Sequence, residues 1–425
     1  MLSYLTKFYD LIQLEGESYD LLKKGLIYSL VGNTIKLNGL IQKGQLIDDT
    51  RVHLAIPMRS GHGKSTCKRF IKQTVEALGR RYSEPTSLHP EQLVGKTVSI
   101  RNISGELVDK KVIYGHLADD YLVFEEALEL LRNKEYQIAR DYINVATDPI
   151  GYNEVYKRNV DVDIEDAVRY QPVCSIALLF HPVGIDINIV ERGLLRRFFV
   201  ICVEPSREEK LKALEISLRK IPDKDLFNEW IEYLKRIEKN RYAWKIDDNP
   251  LIDYCKKLIT RGEMYSEQTK DLASIMYFTL RNRLVKLACI NAGAQGTDIV
   301  DERYIADAYK DAYEFWVAQS NYIEEYVKED TTYMLPRKRK EKIFTYIIRY
   351  LIGAGATNQQ TSNVTLKDLL NATAEANGCS KGLAYYYYEI LKKNKIVDDL
   401  IIPGQVSRVW LCVNESEEEI LRRLL

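Results

Sequence analysis

The chain has 425 residues, 46% of them hydrophobic, and its 61 basic side chains balance its 61 acidic ones. This length predicts two or three packed domains, and the charge balance excludes a global field that would draw the whole protein to nucleic acid. No apolar run approaches the ~18 residues of a membrane span, and the N-terminal residues lack a signal peptide's apolar stretch. We therefore expect a soluble intracellular protein without membrane contact, and the seven scattered cysteines argue against a structural zinc site.

The first motif in chain order is "PMRSGHGKST", residues 57–66, which fits most of the phosphate-loop pattern G-x-x-x-x-G-K-[ST]. Met58 stands where the pattern has its first glycine. An apolar run at 51–58 predicts a buried strand before the loop, and helical spacing of apolar residues predicts a helix after it. We expect ATP to bind at Ser60, Gly61, His62, Gly63, Lys64, Ser65 and Thr66. Lys64 would reach the β- and γ-phosphates, and the Ser65 hydroxyl would hold Mg²⁺.

A second strand, Tyr121 to Phe124 in "DDYLVFEEALELL", ends in two acidic residues. A magnesium-dependent ATPase needs acids at this place to hold the metal and to polarise the attacking water. We assign the metal to Glu125, through water, and the attacking water to Glu126. The alternative is a helix N-terminus enriched in acids, which the helix dipole favours without any catalytic role.

Two further predicted strands carry polar residues next to them. The run "VCSIALLFHP", residues 173–182, ends in His181, and "GLLRRFFVICV" places Arg196 and Arg197 before a buried strand at 198–203. An arginine pair before a core strand is usually solvated.

Taken in order, these motifs resemble the AAA+ motor of the minichromosome maintenance (MCM) helicases. The resemblance rests on "MRSGHGKS", "GELVDKKVIYGHLADDYLVFEEALELL", "VCSIALLFHP" and "GLLRRFFVICV", and it extends over roughly residues 20–320. It implies that His181 orients the attacking water and that Arg197 acts on the ATP of the adjacent subunit. It also implies self-association into a ring, expected to be a hexamer.

The helical segments "DLASIMYFTLRNRLVKLACINAG" and "VDERYIADAYKDA" resemble the lid of this family. The lid carries a second sensor arginine, for which Arg281 and Arg283 are both candidates. Three departures from the family are expected: a missing N-terminal domain, Glu125 in place of aspartate, and His181 in place of asparagine. These changes leave the rate of hydrolysis and the strength of ring formation open.

The long connection before the third strand contains "EVYKRNV" and "DAVRYQP", which have strand-like composition and predict a β-hairpin. Such a hairpin would match the one that MCM-type ATPases push into the central channel. Lys157 and Arg158 would then contact the phosphate backbone of DNA. The acidic stretch at residues 161–166 favours the alternative, a solvated surface hairpin.

After a basic linker the sequence predicts three helices and a two-stranded wing, the pattern of a winged helix. Its third helix would face DNA, through Lys381, Tyr385, Tyr386, Lys392 and Lys393, with Arg408 added from the wing. About two members of the run Tyr385–Tyr388 must turn into the core, because helix geometry spreads four successive residues around the axis. The alternative is a winged helix that only docks on protein.

The sequence thus predicts an α/β protein: an AAA+ αβα core (1–205), a helical lid (206–330) and a C-terminal winged helix (331–425). The favoured function is an ATP-driven DNA translocase or helicase in replication, cytoplasmic or nucleoid-associated, with ATP and Mg²⁺ as cofactors and DNA as partner. The main alternative is an origin-recognition or loader type of switch with little turnover. A motor acting on protein is a third possibility, which the winged helix disfavours.

Overall fold

The protein was analysed as a computed structural model. It describes residues 3–86, 89–101, 107–132, 134–157, 167–182, 185–186, 194–219, 223–265, 270–328, 337–360, 362–377, 381–400, 407–413, 416 and 419–421. The chain divides into two compact units, Met1–Asp330 and Thr331–Leu425.

The α-helices are distributed along both units. They are α1 Asp20–Ile35, α2 Lys64–Ala77, α3 Pro90–Leu93, α4 Leu128–Arg132, α5 Gln137–Thr147, α6 Arg207–Arg219, α7 Lys224–Glu238, α8 Asp248–Tyr265, α9 Lys270–Ala294, α10 Glu302–Tyr326, α11 Arg337–Gly353, α12 Leu366–Asn377 and α13 Lys381–Lys393. Short 3₁₀ helices occupy Ser3–Ile12, Glu17–Tyr19, His116–Ala118, Lys134–Tyr136 and Leu195–Arg197. Within the described residues, no helix is both long and apolar enough to cross a bilayer.

The strands are mostly short. They are β1 Ile41–Lys43, β2 Leu46–Asp48, β3 His53–Pro57, β4 Tyr82–Ser83, β5 Gly95–Arg101, β6 Leu107–Tyr114, β7 Tyr121–Glu125, β8 Val155–Lys157, β9 Val168–Tyr170, β10 Ser175–Phe180, β11 Ile185–Asp186, β12 Phe198–Val200, β13 Lys245–Ile246, β14 Ile299–Val300, β15 Val327–Lys328, β16 Val397–Leu400 and β17 Arg408–Leu411.

The first unit is built on a five-stranded parallel sheet flanked by helices, with strand order β12–β3–β10–β7–β4. Strands β3 and β10 are buried along their whole length, as continuous apolar runs in a parallel sheet require. Strand β10 lies between β3 and β7, pairing Phe180 with Pro57 and Leu179 with Glu125. The α/β class predicted from the sequence is therefore confirmed, and the residues that follow these strands share one edge of the sheet.

The helices between residues 207 and 326 pack on the same sheet. One continuous set of buried apolar residues runs from the N-terminal helix to Tyr326. Phe315 on α10 meets Phe199 of β12 edge-on, with ring centroids 5.1 Å apart. Tyr322, about two turns further along the same face of α10, meets Phe180 with ring centroids 6.2 Å apart. The helices predicted as a lid thus share the hydrophobic core of residues 1–205.

Two antiparallel hairpins interrupt the α/β pattern. The predicted hairpin is confirmed as β8 paired with β9, with Val155 opposite Tyr170. A longer hairpin, β5 paired with β6, was not anticipated, because its residues were assigned only to a run leading into β7. The two hairpins meet through Tyr114 and Tyr170, whose rings make an edge contact at 5.3 Å.

The second unit contains α11, α12 and α13 followed by the antiparallel pair β16–β17. Its own core includes Tyr387 and Tyr388, both fully buried, whereas Tyr385 is 45% exposed. The expectation that about two of the four tyrosines turn inward is confirmed by these two. The side chain of Tyr386 lies outside the described residues.

Candidate nucleotide site

The predicted phosphate loop connects the buried strand β3 to the N-terminus of α2. Gly61 and Gly63 have φ angles of 78° and 112°, in the left-handed region that side chains disfavour. A Cβ on Gly63 would also lie 2.8 Å from the Leu14 side chain. These glycines therefore let the loop turn tightly onto α2, whose first N–H groups have no partner within the helix. Such amides and the positive end of the helix dipole suit an anion.

The two predicted acids lie at the end of β7 and face lysines of α2. Lys64 Nζ lies 3.0 Å from Glu126 Oε1, and Lys68 pairs with Glu125. Lys68 also reaches Glu84, at 3.1 Å. Glu126 has a φ of 60°, an uncommon conformation for a residue with a side chain. The alternative, in which Glu125 and Glu126 only begin a helix, does not account for the positive φ of Glu126, since α4 begins at Leu128.

His181 follows β10 directly, at the same edge of the sheet as the loop and the acids. Its ring is half-buried, and burial lowers its pKa, with Arg59 and Lys64 lowering it further and Glu126 opposing them. Its Nδ1 atom is buried and has no hydrogen-bond partner among the described residues. A neutral imidazole at this place can hold a polar ligand such as water.

A cavity of about 400 Å³ brings the loop and the two acids together, a size that suits a small-molecule ligand, whereas His181 is not one of its lining residues. Its walls include all the residues predicted to bind ATP, both predicted acids and one side of α6. The lining residues are Gln13, Leu14, Ser60, Gly61, His62, Gly63, Lys64, Ser65, Thr66, Arg69, Glu125, Glu126, Lys210, Ala213 and Leu214.

Arg196 and Arg197 lie at the opposite edge of the sheet, where the parallel strands β12 and β3 begin. They directly precede β12, and Phe198 of that strand pairs with His53, the first residue of β3. About five residues of strand, roughly 16 Å, therefore separate Arg197 from the phosphate loop of its own chain. Arg197 donates from Nη2 to Asp148 Oδ1 at 2.8 Å and from Nε to the same atom at 3.1 Å. Asp148 is held in turn, because the buried Arg51 donates to its backbone carbonyl.

Of the two lid candidates, Arg283 lies beside Arg197 and Arg281 lies on the surface. Arg283 is 4% exposed and donates to the carbonyls of Phe198 and Arg196, at 2.7 and 3.3 Å. Its guanidinium lies 4.7 Å from the Phe199 ring centroid. Burial lowers its pKa to about 9, and its Nη1 atom has no hydrogen-bond partner among the described residues. Both Arg197 and Arg283 border a second cavity, of about 290 Å³.

The predicted DNA contacts of the β8–β9 hairpin are less accessible than expected. Lys157 Nζ donates to the Gly95 carbonyl at 3.1 Å and lies 3.9 Å from Glu91, with 12% of its side chain exposed. It thus links the β8–β9 hairpin to β5. Arg158 and the acidic stretch lie outside the described residues.

In the second unit the predicted DNA contacts are mostly on the surface. Lys381, Lys393 and Arg408 are exposed. Lys392 instead forms an ion pair with Asp399, which lies on β16 and is nearly buried. This pair ties α13 to the β16–β17 hairpin, so Lys392 has a structural partner.

Three residues near the sites were not singled out from the sequence: Lys68, Asp148 and Lys210. Lys68 lies four residues after Lys64, one helical turn further on the same face, and this spacing could have indicated a second cation near the acids. Asp148 and Lys210 come from segments distant in sequence from the loop, and only the tertiary fold brings them to the sites.

No protein-family model matches the sequence, and no curated protein matches it significantly.

Proposed function

We propose that the protein is an ATP-hydrolysing motor of the AAA+ type that translocates on DNA, resembling the MCM helicases. Lys64 would bind the phosphates, and Ser65 and Glu125 would hold the magnesium ion that offsets phosphate charge. Glu126 and His181 would position and polarise the attacking water. In this reaction ATP would supply the γ-phosphoryl group, and the attacking water would accept it.

One observation carries this proposal: a single cavity joins a glycine-rich loop at a helix N-terminus to two carboxylates that follow a neighbouring buried strand. The residues fit a nucleoside triphosphate, because amides and Lys64 meet its negative charge while Glu125 and Glu126 supply oxygen ligands and a base. The strand order adds support, since β10, which His181 directly follows, lies between the loop strand and the acidic strand.

The position of the arginines supports a ring. Arg197 and Arg283 border a cavity at the edge of the sheet away from the phosphate loop of their own chain. A guanidinium there could act only on a nucleotide bound to another subunit, where it would stabilise charge on the γ-phosphate. Arg283, beside Arg197, is the better of the two lid candidates.

DNA as the partner is supported by the second unit and by the β8–β9 hairpin. Three helices followed by an antiparallel pair are consistent with a winged helix, with exposed cations on α13 and β17. Positive side chains of this kind contact phosphate without reading bases. Docking of this unit on protein remains the competing role.

A second candidate, a slow switch that binds DNA in its ATP-bound state, is favoured by the ion pairs of the acids. Glu126 is paired with Lys64, and Glu125 with Lys68. Nucleotide binding must exchange both pairs before the acids can act on metal or water. Such an exchange can couple binding to a conformational change while slowing turnover.

Steady-state ATPase assays with and without single- and double-stranded DNA test the proposal. A DNA-stimulated motor predicts a several-fold rise in turnover on adding DNA. Tight ATP-dependent DNA binding with negligible turnover would replace the motor by the switch. Absence of ATP binding would reject both.

A further inference from the structure

Helix α6 forms one wall of the nucleotide cavity, although it comes from the region that was expected to carry only the lid. Lys210, Ala213 and Leu214 border the cavity. Their spacing of three and four residues places them on one face of the helix. Lys212 lies about 200° around the helix from Lys210 and does not border the cavity. Lys210 therefore lies on the face of α6 toward the cavity, and Lys212 lies on the opposite face.

The N-terminus of α6 is docked into a turn of the N-terminal segment by Glu209. The backbone N–H of Ser18 donates to Glu209 Oε1 at 3.0 Å, and the Ser18 hydroxyl donates to Oε2 at 2.7 Å. Glu209 also accepts from the backbone N–H of Ser206, which completes a capping box at the start of α6. These hydrogen bonds lower the pKa of Glu209 to about 2, so the docked carboxylate stays charged at neutral pH.

Gly16 makes room for this docking. Its φ of 126° and its position leave no space for a side chain, since a Cβ there would lie 2.2 Å from Glu209 Oε1. The Gly16–Ser18 turn is thus shaped to receive the carboxylate of α6.

The same N-terminal segment also contacts the phosphate loop. Tyr19 Oη donates to the carbonyl of His62 at 3.1 Å, and Leu14 packs against Gly63. Loop and helix are therefore held by one short stretch of chain. This arrangement fixes the distance between α6 and the loop. Lys210 is close enough to His62 to contribute to the lowered pKa of that imidazole, whose main cause is burial.

We propose, resting on the nucleotide function above, that Lys210 is a further phosphate-contacting residue, and that the docking of Glu209 in the Gly16–Ser18 turn holds it over the bound nucleotide. Lys210 on α6 would thus place a positive charge next to the nucleotide bound by its own subunit. Arg283 cannot do so, because it lies at the far edge of the sheet. It is a binding and positioning residue, because it would contact the phosphates of the substrate without taking part in proton transfer.

Equilibrium binding of fluorescent ATP, ADP and adenosine to full-length Lys210→Met protein tests the first part. The matched control is Lys212→Met, which removes the same charge from the opposite face of α6. We expect the dissociation constant for ATP to rise about fivefold, as for a partly exposed ion pair, with a smaller rise for ADP and none for adenosine. Lys212→Met should bind all three as the wild type does.

Several outcomes would overturn the assignment of Lys210. If Lys210→Met binds ATP as tightly as Lys212→Met does, Lys210 makes no phosphate contact. The nucleotide site itself still stands in that case, provided that Lys64→Ala strongly weakens ATP binding. If Lys210→Met lost as much affinity for adenosine as for ATP, Lys210 would have a structural role and no phosphate contact. A wild-type protein that binds no ATP would reject the proposed function and Lys210 with it.

The docking is tested by Ser18→Ala and Gly16→Ala, with Glu208→Gln as a control for charge and position on the same helix. Release of ATP, measured by stopped-flow displacement, should be several-fold faster in both turn variants and unchanged in Glu208→Gln. Combining Ser18→Ala with Lys210→Met should add little to Lys210→Met alone, because the turn acts through Lys210. Release rates of Ser18→Ala equal to wild type, or full additivity in the double variant, would contradict the docking role.

Discussion

The two edges of the central sheet, at the ends and at the starts of its parallel strands, carry different functional groups. At the edge where β3, β7 and β10 end, a glycine loop and two carboxylates border an open cavity, and the carboxylates are paired with lysines. His181 follows β10 at the same edge. At the other edge, Arg197 is held by Asp148, and Arg283 is buried without a carboxylate partner among the described residues. One edge carries a loop, lysines and carboxylates that suit a nucleotide, and the other presents guanidinium groups.

Under the proposed function, this difference means that a single chain would hold two halves of a site that it cannot assemble by itself. The strands between the edges are fully buried and about five residues long, roughly 16 Å, so no side-chain motion brings Arg197 to the loop of its own chain. If the protein hydrolyses ATP, the two edges of different subunits must meet. The predictions below remove one edge at a time.

The largest effect is expected from Arg197→Ala, because loss of a trans-acting arginine typically lowers phosphoryl transfer about a thousandfold. Binding of ATP should be nearly normal, since the loop edge is untouched. Steady-state turnover and equilibrium binding on the same preparation measure both quantities. Arg196→Ala, which removes an exposed neighbour at the same edge, is the control. Comparable losses in the two variants would indicate general damage to this edge.

Glu126→Gln should slow turnover by about a hundredfold or more, the typical contribution of a general base. The amide retains the shape of the side chain but cannot accept a proton from water. ATP affinity should be retained or slightly improved, since Lys64 loses a competing ion pair. Single-turnover hydrolysis with ³²P-labelled ATP is the direct measurement. Unchanged hydrolysis would move the base elsewhere, with Glu125 tested next.

Lys64→Ala should weaken ATP binding about a hundredfold, because charge-assisted hydrogen bonds to phosphate are lost. Lys72→Ala is the matched control, since Lys72 is an exposed lysine on the same helix and does not border the cavity. Titration calorimetry measures both affinities. Undiminished affinity in Lys64→Ala would mean that the loop is not the nucleotide site.

The smallest effect concerns the hairpin, where Lys157→Glu combined with Arg158→Glu should lower DNA stimulation several-fold and flatten the salt dependence of DNA binding. Basal ATPase should survive. As a control, Lys235→Glu on α7 combined with Lys239→Glu, at the residue that follows α7, makes the same charge change. Because Lys157 is hydrogen-bonded to Gly95, Lys157→Gln separates lost charge from a disturbed hairpin contact. Full stimulation in the double variant would assign the hairpin to the surface.

The sequence predicted best those elements whose pattern is local. The buried strands β3, β7 and β10, helix α2 and the β8–β9 hairpin follow from apolar runs, glycines and strand-like composition. The predicted strand at 198–203 is only Phe198–Val200 in the structure, and Val203 continues as an isolated bridge with Met58.

Partners that depend on tertiary contacts could not be read from the sequence. Nothing local shows that Asp148 holds Arg197, that Lys392 meets Asp399 or that Lys157 donates to Gly95. The same holds for Lys210, whose role depends on how α6 packs beside the loop. A charge can be read from the sequence, but whether it is free to act depends on what lies across from it.

The most direct test of the two-edge account is an equimolar mixture of Lys64→Ala and Arg197→Ala proteins. Each variant should be nearly inactive alone. In a mixed ring, some sites combine an intact loop from the Arg197→Ala subunit with an intact arginine from the Lys64→Ala subunit, so the account predicts that ATPase activity is partly restored. A mixture that stays inactive, although native mass spectrometry shows that the two variants co-assemble, would contradict it.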